Sequence, residues 1–345
     1  MQHRYHPNLV VSILALSLAV SGAILVGCSP AVPEATPTRE NVSPPVSPPE
    51  VLDFRQFFPA VPARLGKLAN HLVFFSDRAG KYQLFQIALD GSGLLQLTNN
   101  PDLDAYKMEP DWSPDGRIAF ASNHVDRTWE IFILYPDRPL PVQLTDWKYD
   151  AWSLAWSPDG KSLAFVSNAT GDDEIYVIPA DGGTPLNLTN RPDASDHLPV
   201  WSPDGKQILF VSERFTEETH DLYVMASDGS GETRLTEAEG RDTSPDWSPD
   251  GKKIAFISER EGNFEIYVMD VPSGTGSSVS ELLRLTSTAG YEWSPTWSPD
   301  GQWIAFTSLR DGGENYEVYV MSADGSNQTR LTDDPADDII PRWWP

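Results

Sequence analysis

The chain has 345 residues, with 25 Lys and Arg residues against 50 Asp and Glu residues and a formal net charge of −25. This excess of negative charge argues against nucleic-acid binding and against docking on anionic lipid headgroups, because both ligands need a basic surface. It permits cationic ligands or serves solubility alone. The chain contains one cysteine, so no disulfide can form within it.

Residues 1–27 are predicted to form a lipoprotein signal peptide. A short segment whose only Lys or Arg is Arg4 precedes an apolar run over residues 9–26. The run ends in Leu25-Val26-Gly27 before Cys28, a pattern similar to a bacterial lipobox. It predicts cleavage before Cys28, lipid attachment to its thiol and export to the extracytoplasmic side of a membrane. The alternative is an uncleaved signal-anchor helix, because the run is near the lower length limit for spanning a bilayer.

Residues 28–66 are predicted to be a disordered, proline-rich tether. Seven prolines fall between Ser29 and Glu50. Proline-rich chain prefers extended conformations of about 3 Å per residue, so this segment can hold a domain away from a membrane. It has too few apolar residues to build a core.

The pentapeptide Trp-Ser-Pro-Asp-Gly marks the rest of the chain as a repeat protein. It begins at Trp112, Trp156, Trp201, Trp247 and Trp297, and a copy cut short begins at Trp343. The spacings between successive tryptophans are 44, 45, 46, 50 and 46 residues. A period in this range, with strand-like segments between the anchors, is typical of a β-propeller.

Each repeat contains four short segments with the composition of β-strands. After the Trp segment come an Ile-Ala-Phe-like segment, a Glu-Ile-Tyr-Val-like segment and a segment that ends in Leu-Thr. Residues 71–98 hold the last three elements without a Trp segment, and residues 340–343 are a Trp segment with nothing after it. The two partial units make one blade. The sequence therefore predicts an all-β, six-bladed propeller over residues 67–345, with four-stranded blades and a ring closed by the C-terminal strand.

Aspartates recur in the predicted turns. Ser-Pro-Asp-Gly joins the first and second strands, and Asp-Gly joins the third and fourth at Asp90, Asp181, Asp228 and Asp324. Both combinations are favoured in tight turns. The alternative, calcium binding, lacks an Asp-x-Asp-x-Asp-Gly loop in this sequence. We therefore expect turn formation and predict no metal and no cofactor.

The repeat resembles the TolB-type propeller, which is built from WD-like repeats with a Ser-Pro-Asp-Gly turn. The resemblance covers about residues 67–345, and it specifies the fold far better than the function. TolB-type proteins are periplasmic and bind protein partners at the propeller. They carry an α/β domain before the propeller, where this sequence has the lipobox and the tether. The resemblance implies a propeller of the cell envelope with a protein or peptide partner.

Two loop positions vary together across the blades. In four blades a carboxylate lies five residues before the anchor Trp. The same four blades carry an arginine two residues after the serine that follows the second strand. We predict ion pairs between Arg78 and Asp338, Arg214 and Asp196, Arg260 and Asp242, and Arg310 and Glu292. Both loops belong to one face of the ring, the face on which each innermost strand begins, here named the channel-mouth face. The pairs are predicted to fix these loops and to neutralise the acids there.

Blades two and three lack this pair, with Lys107 and His124 in one and Ala151 and Ala169 in the other. Exceptions to a repeat are where function tends to reside. Aromatic residues concentrate in the same loops, and exposed Trp and Tyr are preferred binding anchors. The alternative is that Trp147 or Trp152 packs between blades. The candidate ligand-binding residues are Tyr106, Lys107, Trp129, Trp147, Tyr149 and Trp152.

The sequence contains no recognisable active site. It has no Gly-x-Ser-x-Gly elbow, no His-Glu-x-x-His and no phosphate-binding glycine loop. We assign His71, His124, His197 and His220 to four different blades and expect ordinary surface or loop histidines. The predicted function is binding of a protein or peptide by a lipid-anchored, monomeric propeller without catalysis. The alternative is a carbohydrate-binding or carbohydrate-active propeller, because aromatic and carboxylate side chains also suit sugars.

Overall fold

A computed structural model describes residues 71–80, 82–96, 111–122, 128–135, 138, 141–191, 193–216, 219–237, 239–272, 282–312 and 315–343. The predicted signal peptide, the tether and Cys28 lie outside these residues. So do Tyr106 and Lys107, two of the candidate binding residues. None of the described residues forms a helix long and apolar enough to cross a membrane.

The described chain forms 24 strands in six four-stranded antiparallel sheets, which confirms the predicted six-bladed propeller. In blade one the strand order is β24-β1-β2-β3, and each later blade follows chain order from its innermost strand outward. The strands are β1 His71–Ser76, β2 Gln83–Ala88, β3 Leu95–Gln96, β4 Asp111–Trp112, β5 Ile118–Ser122, β6 Glu130–Leu134, β7 Val142–Gln143, β8 Ala151–Trp156, β9 Ser162–Ser167, β10 Glu174–Pro179, β11 Leu186–Asn187, β12 Asp196–Trp201, β13 Gln207–Thr216, β14 Thr219–Ala226, β15 Thr233–Arg234, β16 Asp242–Trp247, β17 Lys253–Ser258, β18 Glu265–Asp270, β19 Leu283–Arg284, β20 Glu292–Trp297, β21 Trp303–Ser308, β22 Glu317–Ser322, β23 Thr329–Arg330 and β24 Asp338–Trp343.

The C-terminal strand closes the ring. β24 pairs antiparallel with β1, with Ser76 opposite Asp338 and Leu72 opposite Trp343. The indole N–H of Trp343 donates to the carbonyl of Thr296 in blade six, 3.0 Å away. Blade one therefore takes one strand from the end of the chain, as the two partial repeats predict.

The anchor tryptophans tie neighbouring blades together. The indole N–H of Trp156 donates to the carbonyl of Asp111 at 3.1 Å, and that of Trp201 donates to Ala155 at 3.2 Å. Each bond reaches the residue just before the anchor Trp of the preceding blade, and Trp247 and Trp343 make the same contact. The regular spacing of the tryptophans is thus the signature of a contact between blades.

The Ser-Pro-Asp-Gly segments form the turns that were predicted. In blade three the hydroxyl of Ser157 donates to Asp159 at 2.7 Å, and the amide of Gly160 donates to the carbonyl of Ser157 at 2.8 Å. Gly160 has a φ of 67°, which favours glycine over any residue with a Cβ. The hydroxyl bond from Ser157 is the leading cause of a lowered Asp159 pKa. The aspartate shapes the turn.

A fully buried phenylalanine on the second strand of each blade forms the centre of the core. These residues are between 0% and 1% exposed, and they are Phe74, Phe120, Phe165, Phe210, Phe256 and Phe306. They pack between adjacent sheets together with Ile and Val side chains of the third strands. Side chains of the second and third strands of adjacent blades therefore form an apolar layer between the blades.

The innermost strands contain a bulge that the sequence did not predict. The register shifts in the middle of the strand in blades three to six and again in β24. The third residue of each of these strands has a positive φ although none is glycine, and the residues are Ser153, Leu198, Ser244, Ser294 and Ile340. A bulge increases local twist and re-aims the side chains near it. Repetition in five blades makes the bulge part of the fold.

Candidate binding face

Each blade presents a row of polar residues on the channel-mouth face. In blade five Asp242 starts β16 opposite Ser258, which ends β17, and Ser258 lies opposite Glu265 at the start of β18. The antiparallel register thus places two carboxylates and one hydroxyl side by side at the end of the sheet. The arginine of the motif follows Ser258 by two residues, so it reaches back over this row.

The structure brings together all four arginine and carboxylate pairs that the sequence predicts. The acids are at most 1% exposed and the arginines are 11% to 20% exposed. The shortest distances are Arg78–Asp338 2.6 Å, Arg214–Asp196 2.9 Å, Arg260–Asp242 2.9 Å and Arg310–Glu292 3.1 Å. Each pair joins the start of the innermost strand to the residue two positions after the motif serine of the second strand.

Each arginine also stacks on aromatic rings, a contact that pairwise sequence comparison missed. The guanidinium of Arg260 lies 5.0 Å from the ring centre of Tyr267 and 5.8 Å from that of Phe256. Its Nε donates to the hydroxyl of Ser258 at 2.7 Å. Arg78, Arg214 and Arg310 stack in the same way on the corresponding rings of their blades. Each arginine therefore caps the outer end of the aromatic core as well as binding the acid.

At three of these acids burial affects the pKa more strongly than the ion pair does. Burial raises the pKa of Asp196 and Glu292 although each faces an arginine. It raises the pKa of Asp338 to about 6, although Arg78 and Ser76 oppose the shift. Removing a carboxylate from water costs much of what its ion pair returns. The pairs therefore matter most through the cost of leaving one partner buried alone.

A second set of arginines forms ion pairs with the acid at or near the start of the third strand in blades four to six. These pairs are Arg234–Asp221 at 2.7 Å, Arg284–Glu265 at 3.0 Å and Arg330–Glu317 at 2.5 Å. The arginine comes from the outermost strand, at the position opposite the tyrosine of the third strand.

Blades two and three lack this second arginine as well. The equivalent positions hold Gln143 and Asn187, and the acids Glu130 and Glu174 accept hydrogen bonds from the hydroxyls of Thr145 and Thr189. Burial raises the pKa of both acids. Among the described residues, arginines thus form ion pairs with the third-strand acid in blades four to six, whereas Glu130 and Glu174 pair with threonine hydroxyls instead.

In blade three a tryptophan takes the place of the missing arginine. The ring of Trp147 meets Phe165 at 5.9 Å and Tyr176 at 5.1 Å, both edge-on. These are the rings that correspond to the pair under Arg260 in blade five. Ala151 and Ala169 leave the space that the indole fills. In this blade aromatic packing therefore takes the position that the arginine and its ion pair occupy in blade five.

Tyr149 is the exposed residue among the described members of the candidate aromatic set. It is 47% exposed and meets Trp147 edge-on at 6.1 Å. Trp129 is only 7% exposed, and Trp152 is partly buried against the core between blades three and four. Lys148, next to Tyr149, is exposed and has a φ of 67°. The loop turns sharply at this point and presents the tyrosine outward.

Comparison with known families fits this architecture. A family model described as the TolB beta propeller domain matches residues 107–218 and 215–284, together just over half of the chain. The chain belongs to the TolB β-propeller family. A comparison with curated proteins found no match.

Solved structures are similar to this TolB-family propeller over about four-fifths of its chain. TolB from Acinetobacter baumannii is 24% identical with a TM-score of 0.66, and the match covers 81% of this chain and 67% of that chain. A TolB-type protein from Agrobacterium tumefaciens is 28% identical with a TM-score of 0.58, and the match covers 81% of this chain and all of the other. An oligogalacturonate lyase in complex with manganese, 13% identical with a TM-score of 0.54, matches over 79% of this chain and 76% of its own. At that identity the similarity to the lyase concerns the fold alone.

Two histidines of this TolB-family propeller differ from the surface histidines that we expected. His197 lies on β12 and His220 on β14, so both belong to blade four and the assignment to different blades is wrong. His220 is 2% exposed, and the side chain of His197 is 13% exposed. Both face the carboxylate of Glu213. The ten-residue strand β13 continues past the motif serine and carries Glu213 to this position, which the shorter second strands of other blades do not predict.

The described part of the chain holds no group of three or more His, Cys, Asp or Glu side chains arranged to bind a metal ion. The turn aspartates are engaged by neighbouring serines, for example Asp228 with Ser230 at 2.6 Å and Asp324 with Ser326 at 2.6 Å. What distinguishes the channel-mouth face is therefore the uneven distribution of arginines and the exposed aromatic residue on blade three.

Proposed function

We propose that this chain is a lipid-anchored, extracytoplasmic propeller that binds a protein or peptide partner on blades two and three of the channel-mouth face. Membership of the TolB β-propeller family supports a binding role in the cell envelope. The apolar N-terminal run before Cys28 supports export and lipid attachment. The proposal assigns no catalytic step to the chain.

One contrast within the ring carries the proposal. Four blades hold their mouth loops with a buried arginine and carboxylate pair. Blade three uses Trp147 instead and presents Tyr149 at 47% exposure on top of it. Large aromatic side chains with a rigid support are frequent anchors of protein interfaces. The proposed contact set remains Tyr106, Lys107, Trp129, Trp147, Tyr149 and Trp152, with Tyr149 as its exposed centre.

The charges near Tyr149 favour a partner segment with basic side chains. Burial is the main cause of a raised pKa at Asp173, and the charge of His197 opposes it. The negative charges of Glu213, Asp172 and Asp150 raise this pKa further, which indicates a group of neighbouring carboxylates. Arginines do not balance the third-strand acids in blades two and three, as described above. A lysine or arginine of a partner would be attracted to the partly exposed carboxylates of Asp150 and Asp172.

Site-specific photocrosslinking in intact cells tests the proposal. A photoreactive residue replaces Tyr149 in one variant and Tyr291 in a matched control, because Tyr291 is 44% exposed near the start of blade six. We expect a discrete protein adduct from position 149 and none of that mass from position 291. Equal adducts from both positions, or adducts from position 291 alone, would refute a site on blades two and three.

The carbohydrate alternative makes a different prediction. An aromatic platform beside carboxylates can also stack on a sugar ring. A glycan ligand would change the tryptophan fluorescence of the purified protein on titration with oligosaccharides, without any protein partner. Under the proposed function the fluorescence stays constant.

A further inference from the structure

The junction between blades three and four contains a polar cluster where the junction between blades five and six carries two aromatic residues. The residue just before the third strand faces the second residue of the next innermost strand. At the junction of blades five and six these are Phe264 and Trp293, whose ring centres lie 4.5 Å apart. At the junction of blades three and four they are Asp173 and His197. The aromatic contact of one junction thus has a potential ion pair as its counterpart in the other.

His197 lies between two carboxylates. Its Nδ1 is 3.6 Å from Oδ2 of Asp173 in blade three, and its Nε2 is 3.4 Å from Oε1 of Glu213 in blade four. A neutral imidazole has one N–H donor and one lone pair, whereas an imidazolium donates from both nitrogens. With an ionised carboxylate on each side, only the imidazolium satisfies both contacts. An imidazolium can thus attract both carboxylates and join the two blades.

The surroundings of the cluster favour the same charge state. On its own strand His197 follows Asp196, which Arg214 binds. Burial opposes the charge, but the Glu213 hydrogen bond and the charges of Asp173, Glu213 and Asp196 together raise the pKa of His197 above its ordinary value.

The second histidine of the cluster holds Glu213 in place. Nε2 of His220 lies 3.3 Å from the same Glu213 oxygen, and burial lowers the pKa of His220 to about 4, so it is neutral near pH 7. Arg241, just before the first strand of blade five, forms a parallel β-bridge with His220 through its backbone. Its positive charge lowers the pKa of both Glu213 and His220. Glu213 is thus positioned from one side while His197 approaches it from the other.

We propose that His197 is a pH-dependent latch between blades three and four, closed when its imidazolium bridges Asp173 and Glu213 and released when it loses its proton. A histidine whose pKa is higher in the folded than in the unfolded chain stabilises the fold fully below the unfolded value, near 6.5. That contribution is lost as the pH rises through the folded value. The latch therefore opens toward alkaline pH. The proposal is independent of any partner and of the proposed binding function.

Backbone amides at two junctions report the latch. The amide of Asp196 donates to the carbonyl of Asp173 at 2.7 Å, and the amide of Glu292 donates to the carbonyl of Phe264 at 3.0 Å. The two bonds are equivalent, and the second has no histidine beside it. We expect the hydrogen-exchange protection factor of the Asp196 amide to fall between pH 5.5 and 8.5, while that of the Glu292 amide stays constant. In a His197→Gln variant both should be independent of pH.

A histidine titration by NMR on the full-length protein decides the proposal even if a variant fails to fold. We expect His197 to titrate above the value of the unfolded chain, and Asp173→Asn to move its titration downward. Asp172→Asn, which alters the neighbouring acid, is the matched control and should change it less. A His197 titration at or below the unfolded value, or an Asp196 protection factor that does not change with pH, would overturn the latch.

Discussion

Replacing Arg260 by alanine is the sharpest test of how the mouth loops are held. The substitution removes a guanidinium that lies 2.9 Å from both oxygens of Asp242, which is 1% exposed. It also removes the stack on Tyr267 at 5.0 Å. The loss leaves a buried carboxylate without its counter-charge.

The expected cost follows from these contacts. Removing one partner of a buried ion pair costs about 3–5 kcal/mol, and the 20% exposure of Arg260 places it near the lower limit. The lost stack adds about 0.5–1 kcal/mol. Replacing Asp242 by alanine as well removes the unpaired charge, so the double variant should regain about 2 kcal/mol relative to the sum of the single changes. Blade three carries Ala151 and Ala169 at these two positions, which shows that a blade can fold without the pair.

Urea unfolding followed by tryptophan fluorescence measures the free energies for this double-mutant cycle. Lys253 and Asp270 form a matched control in the same blade, because they lie 2.5 Å apart but are 49% and 58% exposed. Their coupling should stay below about 1 kcal/mol. If Arg260 and Asp242 couple no more strongly than this surface pair, the proposed role of the buried pairs is wrong.

Three further predictions concern other parts of the chain. Deleting residues 339–345 removes all of the β24 pairing with β1 except that of Asp338, together with the Trp343 bond to Thr296. The melting temperature should therefore fall further than for a typical single substitution, and an unchanged value would contradict ring closure. Trp147→Ala should destabilise the propeller by about 3 kcal/mol in urea, because it uncaps Phe165 and Tyr176; a cost near zero would show that the indole is not a packing residue. Cys28→Ala should release the protein from membranes or leave an unprocessed precursor on cell fractionation, whereas a processed variant retained in the membrane would refute lipid attachment.

Much of the fold could be predicted because the repeats of the chain can be aligned with one another. The spacing of the tryptophans indicates the number of blades, and the isolated Trp343 indicates where the ring closes. The arginine and carboxylate pairs could be predicted for the same reason, since both members appear and disappear together across the blades. Signals of this kind depend on position within a repeat and need no knowledge of side-chain packing.

Features that depart from the repeat could not be predicted in this way. Trp147 takes the place of an arginine from a different loop, so aligning the repeats leaves an alanine with no visible substitute. His197 and Glu213 meet because β13 is ten residues long, and strand length is not evident from the motif. One recurring feature was also missed: the positive φ of Ser153 and its equivalents arises from a bulge, which Ser, Leu and Ile do not predict.

The affinity of an identified partner for two tyrosine variants tests the central claim most directly. Tyr149→Ala removes the exposed aromatic residue of blade three, and Tyr291→Ala removes one of similar exposure in the loop before blade six. Loss of an interface anchor costs about 2 kcal/mol or more, which is roughly a thirtyfold rise in Kd. The account predicts that rise for Tyr149→Ala, with unchanged melting temperature, and a Kd within about twofold of the parent for Tyr291→Ala. Equal weakening by both substitutions, or no weakening by Tyr149→Ala, would contradict a binding site on blades two and three.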